Sequence, residues 1–178
     1  MKSLALPAAA LLALGLPLPA QTAYGTLNGE KANDRFGGAL AGLGDLNLDG
    51  RPDFAQHYLL SALLSSQAGS RAANAIGLFK EVLDSTPGEH GSGFSFNDIA
   101  ADLAGTRLGA RARQEPVRLQ FQATEAHRDT DWMPDVRDLP EFMTAEAVKQ
   151  QYGGPGSPAF DRMWADIQQR VDRLPVLR

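Results

Sequence analysis

The sequence predicts a mainly α fold, a small helical domain of about five helices entered through an N-terminal Asp-rich loop. Three observations predict it. Apolar residues recur at helical spacing over most of the chain beyond Asp53. Ser, Asp and Pro stand where helices start. Only Val117 to Gln122 alternates as a strand would.

The chain begins with material of another kind. Met1-Lys2-Ser3 gives a short positive end, Leu4 to Leu16 is apolar apart from Pro7 and Gly15, and Leu18-Pro19-Ala20 offers a small residue for cleavage. This is the build of a secretory signal peptide over residues 1–20, too short and proline-rich to span a membrane. The expected location is therefore secreted or periplasmic. Losing Lys2 and no acid moves the net charge one unit below −4, with no basic patch to suggest nucleic acid. With no cysteine there are no disulfides and no thiolate zinc ligands. No later stretch is long and apolar enough for a membrane span.

The expected divisions are 21–55, a calcium-loop segment; 56–113, a helical core; and 114–178, a C-terminal helical segment packing on that core. Asp53 with Gln56 three residues on reads as an N-cap pair opening the first helix, which the apolar run Tyr58 to Leu64 marks as central. Ser70 reads as the cap of a second helix, with Ala72, Ala75, Ile76, Phe79, Val82 and Leu83 on its apolar face and a stop at Asp84–Gly88. The third helix has the strongest start: Ser95 as N-cap, Asp98 at the third helical position, and Phe94 and Ile99 spaced as a hydrophobic staple. Within it Ala101, Gly105 and Gly109 recur every four residues, a small stripe that lets another helix approach closely. Val117–Gln122 reads equally as a short strand or as more helix beyond Pro116. Ser157-Pro158 then opens a final helix with Phe160, Met163, Trp164, Ile167 and Val171 on one face.

The most specific chemical motif is Asp45-Leu46-Asn47-Leu48-Asp49-Gly50-Arg51-Pro52-Asp53. Calcium takes six to eight oxygens, which side chains at alternate positions of a tight loop converge to supply. Asp45, Asn47, Asp49 and Asp53 bring side-chain oxygens, Arg51 its backbone carbonyl, and Gly50 the sharp turn. Gln56 stands where a bidentate Glu would complete a helix-loop-helix site, which weakens the expected affinity. The alternative is a turn whose Asp and Asn side chains bond their own backbone. Asp34-Arg35-Phe36-Gly37-Gly38 through Gly44, followed by this loop, resembles the FG-GAP repeat of integrin alpha chains over about residues 28–55. That resemblance implies a calcium ion, and adhesion or a place on the cell surface. It ends at Gln56-His57-Tyr58-Leu59-Leu60, where the family continues as a strand, and there is one copy where a propeller needs several.

A second set of polar residues falls in the helical part. His57 and Ser61 are four apart on the first helix, Lys80, Glu81 and Asp84 end the second, and Asp98 and Asp102 are four apart on the third. This scheme over 57–109 is similar to a group of uncharacterised bacterial envelope proteins and implies no activity. His57 with Asp98 or Asp102 could bind a metal or polarise Ser61 as a nucleophile. Local chemistry explains the same residues otherwise: Asp98 by the capping box, Lys80 and Asp84 as a surface pair, Ser61 by a backbone carbonyl one turn earlier. The expected function is an exported, calcium-stabilised structural or interaction module, with room for an unidentified protein partner. The alternatives are a small hydrolase-like enzyme using His57 and Ser61 with Asp98 and Asp102, and a surface adhesion fragment.

Overall fold

The computed structural model describes residues 52–86, 92–126 and 128–178. Among them run seven α-helices: α1 (Pro52–Ala68), α2 (Ser70–Asp84), α3 (Phe96–Gln114), α4 (Pro116–Glu125), α5 (Asp129–Trp132), α6 (Ala145–Tyr152) and α7 (Pro158–Asp172). A 3-10 turn over Pro175–Leu177 follows. The mainly α expectation holds. The only strand-like pairing among the described residues is an isolated antiparallel bridge between Phe94 and Met143.

The centre of the fold is α3, not α1. Its side chains are buried almost all round, from Phe96 through Ala112. Most of its contact is with α1, and α2 closes a three-helix unit over both. The small-residue stripe is what allows this. A Cβ on Gly105 would lie 1.9 Å from the Tyr58 carbonyl oxygen, and one on Gly109 2.0 Å from that of Ala62. The α1 backbone therefore rests directly on α3, and glycine's low helix propensity is the cost of that approach.

Helix starts follow local chemistry with two exceptions. The Ser95 hydroxyl accepts the Asp98 amide at 3.1 Å, Thr144 that of Ala147 at 3.2 Å, and Ser157 that of Phe160 at 3.4 Å. The first exception is Asp53. The helix already includes Pro52, so Asp53 stands in its first turn, exposed, and is not the N-cap. The second is Ser70. The cap position of α2 is Gly69, whose φ of 87° turns the chain sharply out of α1. Ser70 is already helical, and its hydroxyl meets that of Ser65 at 3.2 Å.

The face of α2 is reversed relative to its hydrophobic pattern. Ala73, Gly77 and Glu81 point inward, while Phe79 is 60 % and Leu83 54 % exposed. Periodicity finds an apolar stripe, but the neighbouring helices decide which stripe they cover. Here α1 and α3 cover the stripe carrying a glycine and a carboxyl.

The ambiguous stretch is helical. Pro116 occupies the first turn of α4, after Glu115 breaks from α3 at φ −134° and ψ 56°. Leu119 and Ala123, four apart, turn inward, and the alternating Val117 and Phe121 are left exposed. At the other end Phe160, Ile167 and Val171 of α7 are buried, with Met163 and Trp164 partly so. Rings of Phe94, Phe96, Tyr152 and Phe160 pack edge-on or tilted at 4.9–5.9 Å between centroids. They tie α6 and α7 to the start of α3.

Candidate functional site

The buried polar residues of α1, α2 and α3 meet at one place. The Asp102 carboxylate of α3 accepts the Ser61 hydroxyl at 2.7 Å on Oδ1, and the same oxygen lies 3.2 Å from His57 Nδ1. The other ring nitrogen, Nε2, faces Asp98 Oδ2 at 3.7 Å and Glu81 Oε1 at 4.0 Å. His57 and Asp98 are each 8 % exposed and Glu81 0 %, so this is a buried site whose outer edge is His57 and Asp98.

Each helix contributes for a local reason. Spacing of four on α1 stacks His57 over Ser61, and the same spacing on α3 aligns Asp98 with Asp102. On α2, Gly77 and Glu81 are also four apart. A Cβ at Gly77 would come within 2.4 Å of Asp102 Oδ2, so the glycine makes room for that carboxylate while Glu81 reaches into the site. Glu81 is held from two sides. Its Oε2 accepts the Ser95 amide at 3.0 Å and its Oε1 the Lys80 ammonium at 3.4 Å. Lys80 also bonds Asp84 at 2.6 Å, as the spacing predicts.

Two local explanations fail as a result. Ser61 spends its proton on Asp102 and not on a carbonyl one turn earlier. The amide that a capping box would offer to Asp98 goes to Glu81 instead, leaving the Asp98 side chain turned toward His57. Glu81 is named in the sequence with Lys80 and Asp84 but given no role there; the available signal for one is Gly77 one turn before it.

Electrostatics follow the crowding. Burial alone would lower the His57 pKa, but the Asp102 hydrogen bond and the charges of Asp102 and Asp98 outweigh it and raise it. Burial pushes Glu81 up to about 7, with Asp98 adding to the rise and Lys80 opposing it. Burial also lowers Lys80, but the bond to Asp84 and the nearby acids raise it overall. Asp102 Oδ2 is buried without a hydrogen-bond partner among the described residues.

The site thus gathers His57, Ser61, Asp98 and Asp102, the four residues singled out in the sequence, and adds Glu81. It does not form a Ser–His nucleophilic pair, because both groups turn to the same Asp102 oxygen. Of the calcium-loop residues, Asp45, Asn47, Asp49 and Arg51 lie outside the described residues, as does the FG-GAP-like segment before them. An open groove of about 750 Å³ lies elsewhere, lined by Met133, Asp135, Asp138, Arg170 and Leu174 among others. Its Arg170 is already forked onto Asp138 at 2.6 and 2.7 Å. No described helix is long and apolar enough to cross a membrane. No family model, curated protein or solved structure matches the chain.

Proposed function

We propose that this chain is an exported helical domain with a hydrolase-like acid–base site, in which His57 is the titrating group. The observation that carries the reading is the convergence of His57, Asp98, Asp102 and Glu81 from three helices on one buried edge. Asp102 on Nδ1 orients the ring and stabilises its protonated form, so Nε2 takes a proton from an attacking water. Glu81, with a pKa near neutrality, supplies a proton to a leaving group. Ser61 is a positioning residue that locks Asp102, not the nucleophile. Substrate would approach at the His57–Asp98 edge.

The test is hydrolysis of a carboxyl ester, a phosphomonoester and a peptide amide, each chromogenic, by the purified protein and by His57→Ala. At least one should be turned over, with the rate falling about 100-fold or more in the variant at unchanged helical circular dichroism. Activity on none of the three, or an equally active variant, would remove the enzyme reading.

A second reading, the calcium-stabilised interaction module, draws support from the exposed Phe79, Val82 and Leu83 on α2. On that reading Phe79→Ser with Leu83→Ser abolishes chemical cross-linking to a neighbouring protein in the producing cells while leaving the melting temperature unchanged. Cross-linking that survives both changes would count against that surface. The calcium loop and an adhesive role rest on Asp45 to Asp53 and the FG-GAP-like segment, and belong to this second proposal.

A further inference from the structure

The His57 cluster presents three oxygen or nitrogen donors that face one another across a gap. His57 Nε2 stands 3.7 Å from Asp98 Oδ2 and 4.0 Å from Glu81 Oε1, and one donor atom from each of the three residues lies within 4.8 Å of the others. The two separations from Nε2 are too long for hydrogen bonds. They exceed by a few tenths of an ångström the ~3.4 Å edge of a tetrahedron whose centre is ~2.1 Å from each donor, the distance at which zinc holds imidazole and carboxylate, so the side chains would close slightly around such an ion.

Two further features point to a cation. The first is the ring's far side. A metal-ligating histidine characteristically gives its other N–H to a carboxylate, which fixes the tautomer and directs the free lone pair at the metal. His57 has that arrangement, with Nδ1 on Asp102 and Asp102 itself locked by Ser61. The second is charge. Glu81, Asp98 and Asp102 are three buried carboxyls around one imidazole, and the nearest cation, Lys80, is half exposed, bonded at 2.6 Å to Asp84 and at 3.4 Å to Glu81 Oε1. Asp102 Oδ2, in a side chain more than nine-tenths buried, has no hydrogen-bond partner among the described residues. Buried charge of this density is stable when it is protonated or when it surrounds a metal.

We propose that His57 Nε2, Glu81 Oε1 and Asp98 Oδ2 bind a divalent transition-metal ion of the zinc type, with Asp102 as the positioning residue behind His57. An imidazole ligand distinguishes this ion from calcium, which takes oxygen donors. Three protein ligands leave a position for water or substrate at the outer edge formed by His57 and Asp98. The inference concerns the same cluster as the enzyme reading and does not depend on catalysis; with the ion bound, His57 Nε2 and Glu81 are ligands, so the acid–base roles proposed for them belong to the metal-free protein.

The experiment uses the purified protein stripped with chelator. Zn²⁺ is titrated while bound metal is measured by elemental analysis and the melting temperature is followed; Co²⁺ is then substituted for its visible absorption. One ion per chain is expected, with a raised melting temperature and a Co²⁺ spectrum characteristic of nitrogen and oxygen ligands. His57→Gln and Glu81→Gln should each weaken binding about 100-fold or more, and Asp102→Asn about 10- to 100-fold. Two ligand variants are used so that poor folding of one leaves the other to decide. Asp49→Ala, in the calcium loop, should leave zinc binding unchanged while losing any shift produced by Ca²⁺. Substoichiometric binding, or binding equally tight in both ligand variants, overturns the proposal. Tight zinc binding without turnover of any substrate would uphold it and remove the hydrolase reading alone.

Discussion

Replacing Gly105 and Gly109 together by alanine is expected to lower stability by about 4 kcal/mol, although alanine is the better helix former. The two effects oppose one another. Helix propensity favours each alanine by about 1 kcal/mol. Against this, each new methyl group would meet a backbone carbonyl oxygen, Tyr58 at 1.9 Å and Ala62 at 2.0 Å. Backbone cannot swing aside as a side-chain end can, so the cost is set near the upper end of overpacking, about 3 kcal/mol at each position. The packing term wins. Helix α1 must lift from α3, and it lifts at the turns carrying His57 and Ser61, which would part from Asp102. Thermal unfolding should show a midpoint at least about 10 °C lower. An unchanged or raised midpoint would mean that the two helices are not in backbone contact here.

Phe96→Ala should cost about 3–5 kcal/mol, the range for emptying a fully buried aromatic site. The Phe96 ring is 0 % exposed and meets Phe94, Tyr152 and Phe160, so its loss leaves a cavity where α3, α6 and α7 join. It is also the first residue of α3, two before Asp98. Loosening that end should therefore disturb the donor set as well as the core. Urea unfolding measures the first effect. The matched control is Phe121→Ala, a ring 69 % exposed, which should change stability by no more than about 0.5 kcal/mol. Similar losses in the two variants would contradict the placement of Phe96 at the junction.

Four of the five residues of the candidate site are legible in the sequence. Spacing of four puts His57 with Ser61 and Asp98 with Asp102, because side chains one helical turn apart stack on one face. Their true partners are not legible there. Ser61 and Asp98 each have a sufficient local explanation, a carbonyl one turn back and a capping box, and local explanations are blind to a carboxylate 41 residues away. Glu81 is hidden by its neighbours: beside Lys80 and four before Ser85, it looks like part of a solvated helix end. What buries it is the approach of α1 and α3 to the face that Gly77 leaves open.

By itself the sequence determined the mainly α class, the start of α3 at Ser95, the close approach along Gly105 and Gly109, and the buried face of α7. Each rests on interactions within a few residues or on a missing side chain, and such terms are present in the chain before it folds. Only the tertiary structure decided that α3 and not α1 is central, that Pro116 to Glu125 is helix, and that α2 turns its polar stripe inward. Those outcomes depend on which surfaces other helices cover. Burial on α2 goes to the face that can accept the Asp102 carboxylate and lend Glu81 to His57, and no local pattern of apolar residues carries that information.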